Sequence, residues 1–230
     1  MKKINDQKKE IEIKKSDGLE QVASLVHYVS ATVPVFGGVL SSIFGGIAAG
    51  RKFERIKEVI TKLADELKEI ESISEEYIKS EDFEEILEQT LHKIAHERNS
   101  EKREIFKKFL KNTIASQLSY DDFVKYRILR TLEEVFPVHL YILKAISMEP
   151  NESETKGLIS GKQIGTIIMR TKESGLTGKE IEKTIEDLNR LGITNLNMNI
   201  LKTMTNVGEA RDLRHTITDF GSDIIKYLLE

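Results

Sequence analysis

Two histidines have the spacing best suited to metal chemistry. His92 and His96 lie four positions apart, so a helix would place both imidazoles on one face, as a shared divalent ion requires. The glutamate that zinc-protease helices carry between two such histidines is absent, and the sequence suggests no third ligand. His27, His139 and His215 are isolated and typical of packed or capping side chains. The pattern favours a solvated helix face, and we predict no metal site.

No other motif points to catalysis. The stretch from Gly157 to Gln163 approaches a phosphate-binding loop, but its glycine spacing is one residue short, and a glutamine stands where Ser or Thr must hold magnesium. Cysteine is absent, which removes thiolate metal sites and cysteine nucleophiles. We therefore predict no catalytic or cofactor-binding residue. Solvation explains the acids at predicted helix ends and outward faces, which are Glu75, Glu76, Glu81, Asp82, Glu84 and Glu85.

The charge of the chain is nearly balanced. Its 230 residues hold 35 Lys and Arg against 38 Asp and Glu, for a formal net charge of −3. Such a chain lacks the positive field that draws non-specific binders to nucleic-acid phosphates, so a nucleic-acid surface would have to be local. Acids follow Met1-Lys2-Lys3 where a secretory signal would have an apolar core. We expect a cytoplasmic protein, or one associated with a membrane through residues 29–50.

Apolar residues step by threes and fours along the first half of the chain, which predicts amphipathic helices. Ser80 and Asp121 are predicted N-caps, and Pro137 is a predicted break. We predict a mainly α fold in which a mobile charged arm, residues 1–17, precedes an antiparallel helical bundle over residues 18–136. The predicted buried positions are Phe53, Ile56, Ile60, Leu63, Leu67 and Ile70, then Phe83, Ile86, Leu87, Leu91 and Ile94, then Phe106, Phe109, Leu110 and Ile114, and then Phe123, Tyr126, Leu129, Leu132 and Val135.

A glycine-rich apolar segment over residues 21–50 opens the predicted bundle and contains no Asp, Glu, Lys or Arg. Helical spacing would place Gly38, Ser42, Gly46 and Gly50 in one row of small residues, against which another backbone can pack closely. One interpretation is a buried helical hairpin covered by the amphipathic helices. The other is a membrane-inserted helix over residues 29–49, which is long enough to span but rich in glycine and hydroxyl groups. We favour the buried hairpin.

Residues 137–230 carry the signals of a smaller domain. Apolar residues predict a helix after Pro137, and alternating apolar residues predict short strands near 196–200 and 213–218, before a final helix. Three helices, two short strands and a helix is the element order of a winged helix. Two capping boxes and two terminating glycines bound the middle helices, and they are Ser160 with Gln163, Thr177 with Glu180, Gly175 and Gly192.

Two short runs in this region resemble winged-helix proteins. Residues 181–192, Ile-Glu-Lys-Thr-Ile-Glu-Asp-Leu-Asn-Arg-Leu-Gly, look like the second helix of their helix-turn-helix. Residues 217–221, Ile-Thr-Asp-Phe-Gly, are similar to the Leu-Thr-x-x-Gly exit from the wing. The layout of the whole chain, including the charged joint over residues 97–103, also resembles helical bacterial proteins of the abortive phage infection alpha family. That resemblance implies a non-enzymatic role in phage defence and assigns no functional residue.

The predicted reading helix offers Lys179, Lys183 and Arg190 for nucleic-acid contact, but Glu182, Glu186 and Asp187 interleave them. Residues 137–230 carry 12 bases against 13 acids, whereas groove-reading modules are typically basic where they dock. We therefore expect an interaction protein whose winged helix serves self-association or partner binding. The alternatives are a DNA-binding transcriptional regulator and a membrane-perturbing effector that uses residues 29–50.

Overall fold

The computed structural model describes residues 23, 27, 35–44, 50–70, 75–115, 121–150, 162–204 and 211–229. These residues form eleven α-helices, two single 3-10 turns and one antiparallel bridge, which confirms the mainly α-helical fold. The chain divides into two compact units, residues 1–133 and 134–230, close to the boundary expected at Pro137. The predicted arm of residues 1–17 lies outside the described residues. Among the helices that the structure describes, none is both long and apolar enough to cross a membrane.

In the first unit, six described helices pack around a central one among them. They are α1 (Val35–Phe44), α2 (Arg51–Leu67), α3 (Glu75–Ile78), α4 (Glu81–His96), α5 (Ser100–Ala115) and α6 (Asp122–Thr131). Helix α4 packs against each of the other five, and α2 also packs along α5. The apolar stripes predicted for α2, α4 and α5, from Phe53 to Ile114, are buried except for Ile70, which lies beyond the end of α2 and is half-buried. The core of this unit therefore follows from the three- and four-residue spacing of its apolar side chains.

Helix α6 departs from the predicted pattern. Phe123 and Tyr126 were expected in the core, but Phe123 is 71% exposed and Tyr126 is only half-buried, whereas Ile128 and Leu129 are buried. Phe123 precedes Ile128 by five residues, which turns it about 140° away around the helix. The helix also ends at Thr131 and does not run to Pro137, where the next helix begins. The predicted caps are confirmed, since Ser80 accepts the Phe83 amide and Asp121 accepts the Phe123 amide.

Two cations close the carbonyl ends of helices in this unit. Arg55 Nη1 donates to the Ala95 carbonyl in the last turn of α4 at 2.9 Å. Lys102 Nζ donates to the Glu133 carbonyl, just beyond the end of α6, at 2.6 Å, and Lys102 is buried. The last carbonyls of a helix find no N–H donor within their own helix, so a cation can take that place. A cation there also complements the negative end of the helix dipole. These cations therefore fix the ends of α4 and α6.

Ion pairs join α2 to α5 along one edge of the core. Hydrogen bonds from Lys62 and Arg103 lower the pKa of Glu58. Burial raises the pKa of Glu66 and Glu104, but the hydrogen bonds and charges of their lysine partners outweigh it and hold both pKa values below the ordinary range. The pairs are Arg103 with Glu58 at 2.9 Å, Lys62 with Glu104 at 3.0 Å, Lys107 with Glu66 at 2.5 Å and Lys107 with Glu104 at 2.7 Å.

The described residues of the second unit form five helices and two 3-10 turns. The helices are α7 (Pro137–Ser147), α8 (Gln163–Arg170), α9 (Gly178–Arg190), α10 (Met198–Leu201) and α11 (Asp219–Leu228), and the turns are Lys172–Ser174 and Arg214–Thr216. Helices α7, α8 and α9 pack against one another, and α10 packs against α8. The capping box of Thr177 and Glu180 is confirmed. Gln163 is the first residue of α8, after Lys162 at the N-cap, so it cannot be the third residue of a box, and its predicted partner Ser160 lies outside the described residues.

The predicted strands near 196–200 and 213–218 are wrong in detail. In the described part of this unit, the β-structure is one antiparallel bridge between Thr194 and Ile217. The Asn197 side chain accepts the Asn199 amide at 3.0 Å and so starts helix α10 where alternating apolar residues had suggested a strand. Residues 214–216 form a 3-10 turn. Apolar alternation over only five residues did not outweigh the capping asparagine.

A close backbone approach joins the start of α11 to the end of α9. Thr218 caps α11, because its Oγ1 accepts the Gly221 amide at 2.9 Å, and the same hydroxyl donates to the Gly192 carbonyl at 2.7 Å. A Cβ atom placed on Gly221 would lie 2.1 Å from the carbonyl oxygen of Ile193. Gly192 itself has φ of 71°, in the left-handed region that glycine favours. The Thr-x-x-Gly sequence therefore locks the last helix onto the turn that ends α9.

We predict that Gly221→Ala lowers the free energy of unfolding of the second unit by about 1 to 3 kcal/mol, because backbone atoms must move to admit the methyl group. The measurement is chemical denaturation followed by circular dichroism. Gly38→Ala is the matched control, since nothing lies within 4 Å of its Cβ position on α1. There the same change should stabilise by about 0.5 to 1 kcal/mol through helix propensity. Equal effects of the two substitutions would contradict the close approach.

We also predict that the α2–α5 ion pairs make the first unit acid-sensitive. The carboxyls of Glu66 and Glu104 have folded pKa values below the reference value of 4.5, so they stabilise above that pH, and this contribution is lost as the pH falls through the folded values. Lys107→Met should therefore lower the melting temperature near pH 7 and reduce its further fall towards pH 3. Lys68→Met, which removes an exposed pair with Asp65 at 2.9 Å, should leave the pH profile as in wild type. Parallel pH profiles for wild type and Lys107→Met would refute the assignment.

Candidate interaction surface

Helix α9 is held in place by both of its ends and by one apolar face. The Thr177 amide donates to Glu180 Oε2 at 2.8 Å, and this hydrogen bond lowers the pKa of Glu180. Ile181, Ile185 and Leu188 are fully buried. Because these residues recur at helical spacing, the opposite side of α9 faces solvent.

A polar side chain fixes the loop that follows α9. Asn189 Nδ2 donates to the Leu196 carbonyl at 2.8 Å, and its Oδ1 accepts the Leu196 amide at 3.0 Å and the Thr194 hydroxyl at 2.8 Å. One amide thus satisfies three polar groups of the turn between α9 and α10. The turn is therefore held against the C-terminal end of α9.

The exposed face of α9 carries all three residues that the sequence offered for nucleic-acid contact. Lys179, Lys183, Glu186 and Arg190 are exposed and follow the helical spacing i, i+4, i+7 and i+11. They therefore form one straight row, which we call the α9 stripe. The sequence offered these cations on one helix with acids interleaved, and the structure brings the three cations and Glu186 to one face.

Carboxylates of the second unit hold most of these cations. Asp187 lies 3.5 Å from Lys183 Nζ and 3.7 Å from Arg190 Nε. Arg190 Nη1 also donates to Glu134 at 2.7 Å, a hydrogen bond that raises the pKa of Arg190. Within the described residues, Lys179 forms no ion pair. The cations are therefore largely neutralised by their own unit before any phosphate could approach.

Two of the anchoring carboxylates, Asp187 and Glu182, lie deeper than the cations that they hold, whereas Glu134 is exposed about as much as Arg190. The side chain of Asp187 is 27% exposed, against 69% for Lys183 and 57% for Arg190. The same arrangement recurs beside the stripe, where Lys202 on the loop after α10 lies 2.7 Å from Glu182, and their side chains are 61% and 25% exposed. The outer surface of this face therefore mixes cations with the exposed carboxylates of Glu186 and Glu134, while Asp187 and Glu182 are less exposed. Electrostatic pairing also restricts the positions that these long side chains occupy.

His139 of α7 closes the inner side of this network. It is buried, and its Nδ1 accepts the Phe136 amide at 2.9 Å, so the ring carries its proton on Nε2. That nitrogen faces Asp187 at 3.9 Å. The sequence predicted that His139 is a packed or a capping histidine. In the structure it is both, because it is buried and accepts the Phe136 amide. The contributions of Glu134, Lys202 and His139 to this face depend on tertiary contacts and could not be found from the spacing within α9.

The histidine pair lies elsewhere, on the exposed side of α4, in a shallow groove with Glu88, Gln89 and Lys93. His96 Nε2 is 2.8 Å from Lys52 Nζ, and its Nδ1 is 2.8 Å from the His92 carbonyl. Both ring nitrogens of His96 are therefore already engaged. Within the part of the chain that the structure describes, no three metal-binding side chains converge.

In the residues that the structure describes, the predicted row of small residues does not face another helix. Gly38 and Ser42 lie on the exposed side of α1, whose buried residues are Phe36, Val39 and Leu40. Gly46 lies outside the described residues. Gly50 precedes α2 with φ of 117°, so it is not part of a continuous helical row. The α1 helix therefore packs through its large side chains.

No protein-family model matches the chain, and neither a curated protein nor a solved structure matches it. The resemblances to winged-helix and abortive-infection proteins thus rest on short sequence runs and on layout. The α9 stripe, together with the carboxylates that pair with it, is the candidate interaction surface.

We predict that Asp187→Asn raises the salt concentration at which the protein elutes from a heparin column, because Lys183 and Arg190 lose a shared carboxylate. Asp223→Asn on α11 is the control, since it changes net charge equally in the same unit but away from the stripe. It should elute close to wild type. Equal shifts for the two variants would mean that net charge alone governs retention and that Asp187 has no special role.

Proposed function

We propose that the protein is a non-enzymatic interaction protein whose C-terminal unit is a winged-helix domain used for protein contact. The order of elements supports the winged helix, since three packed helices precede a β-bridge and a last helix. The bridge joins Thr194, just after α9, to Ile217 at the Thr-x-x-Gly run. The resemblance to abortive-infection proteins suggests bacterial phage defence as the setting.

One observation carries the choice of protein over DNA. The cations of the α9 stripe are held by carboxylates of their own unit, and Glu186 is exposed between them. A phosphate backbone would have to displace those carboxylates and tolerate Glu186, which costs electrostatic energy at each contact. A protein surface can offer acids and bases in alternation and so match a mixed row.

We predict that the wild-type protein binds a random 30-base-pair duplex weakly, with Kd above about 10 µM at physiological salt, which falls within the range of non-specific binding. Fluorescence anisotropy across several salt concentrations measures this. Lys179→Glu with Lys183→Glu should change the affinity little, as should the control pair Lys144→Glu with Lys226→Glu, both on exposed helix positions of the same unit. A sub-micromolar complex that depends steeply on salt, and that only the stripe variant weakens, would reverse the proposal in favour of a DNA-binding regulator.

A further inference from the structure

The first unit carries an exposed acidic row on α4. Glu81, Glu85 and Glu88 are exposed and follow the spacing i, i+4 and i+7, with His92 next at i+11. We call this row the α4 stripe. No Lys or Arg occurs from residue 81 to residue 92. Within the described part of the chain, no ion pair joins Glu81 to a cation. The carboxylates of this row are therefore presented to solvent with little local compensation.

Two further acids, Asp82 and Asp122, lie near Tyr126 beside the α4 stripe. The Tyr126 hydroxyl of α6 donates to Glu85 Oε2 at 3.1 Å. Burial raises the pKa of Tyr126 to about 12, together with that hydrogen bond and the negative charges of Glu85, Asp82 and Asp122. The phenol thus stays neutral at any physiological pH. Asp82 is exposed beside the α4 stripe, whereas Asp122 is compensated by Lys125 at 2.9 Å.

The two stripes have the same length and the same spacing. Lys179, Lys183, Glu186 and Arg190 are separated by four, three and four residues, and so are Glu81, Glu85, Glu88 and His92. Each row spans roughly 16 Å along its helix. Because the spacing reads the same in both directions, parallel and antiparallel docking both align all four positions. Either way, two cations of α9 meet two carboxylates of α4, and the third cation meets His92.

We propose that the α9 stripe of one copy of this chain docks on the α4 stripe of a second copy. This names the partner class for the proposed protein-contact function and rests on it. Lys183 and Arg190 stay 69% and 57% exposed although they pair with Asp187, and Lys179 forms no ion pair within the described residues, so the three cations can still contact a further carboxylate. The α4 stripe has few cations of its own. The contact uses a different surface on each copy, so it is heterologous and forms open chains or closed rings.

The docking is electrostatic and exposed, so it should be weak and sensitive to salt. In both docking directions Glu186 lies opposite a carboxylate, Glu85 in one case and Glu88 in the other. The proposal therefore makes an unusual prediction for a substitution that removes charge. Glu186→Gln should tighten the association about twofold to fivefold.

The experiment is sedimentation velocity of the full chain over a range of protein concentrations at low and at 0.5 M salt (roughly a threefold shorter screening length than at 0.05 M). Wild type should associate as concentration rises and dissociate at high salt. Lys183→Glu with Arg190→Glu should weaken association about tenfold or more, and so should Glu81→Lys with Glu88→Lys. Lys144→Glu with Lys226→Glu, which changes net charge as much as the first pair, should have little effect. Circular dichroism melting checks that each variant is folded.

Mixing the two charge-reversed variants is the decisive step. Each variant alone lacks one stripe, but together they pair the intact α9 stripe of one with the intact α4 stripe of the other. An equimolar mixture should therefore recover association that neither variant shows alone. A wild type that stays monomeric throughout, or a mixture that does not recover, would overturn the proposal.

Duplex binding by the same variants separates this inference from the proposed function. If wild type is monomeric and does not bind duplex, the second-copy partner is refuted, while protein contact through α9 still stands. If wild type binds duplex tightly and loses it on Lys183→Glu with Arg190→Glu, both fail together. An increase in association on Glu186→Gln supports the docking of stripes, and a decrease contradicts it.

Discussion

The Asp187 carboxylate pairs with Lys183, one turn before it, and with Arg190, one turn after it. Its side chain is less exposed than either of theirs. The candidate interaction face of the second unit depends on this arrangement. A recessed carboxylate neutralises the cations without covering them, so α9 has little long-range attraction for phosphate but keeps donors at its outermost points. His139 and Glu134 complete the network from α7 and from the residues before it. The surface is thus suited to short-range, oriented pairing with a mixed or acidic protein surface.

The backbone around Gly221 sets where that face points. The Thr218 hydroxyl and the absence of a Cβ at Gly221 let α11 approach the Gly192–Ile193 turn, and this turn directly follows α9. Asn189 then satisfies the polar groups of the next loop. In the first unit, the ends of the helices are ordered by cations that bind helix carbonyls and by the α2–α5 ion pairs. Helix α4 contacts every other helix that the structure describes there. The apolar core gives stability, and these polar contacts fix the ends and orientations of the helices.

The parts of this structure that sequence reasoning found are those with local signals. The Thr177–Glu180 box, the left-handed Gly192 and the apolar stripes of α2, α4 and α5 follow from interactions within a few residues. A strand was wrongly predicted near residue 198, and the helix there was missed, because the Asn197 cap outweighs a short apolar alternation. Phe123 and Gly38 were misplaced because their exposure depends on which side of a helix meets the core. At the candidate site, the cations were predictable from helical spacing, whereas Lys202 and Glu134 come from distant positions and required the fold.

Zero-length carbodiimide cross-linking tests most directly whether the α9 stripe meets protein carboxylates of another copy, because it joins only amines and carboxyls that are already in contact. Equal amounts of ¹⁴N- and ¹⁵N-labelled chains would be mixed, cross-linked and digested for mass spectrometry. The account predicts mixed-isotope links from Lys179 or Lys183 to Glu81, Glu85 or Glu88, which disappear at high salt. Links from these lysines that stay within one isotope label, or mixed links that involve neither stripe, would contradict it.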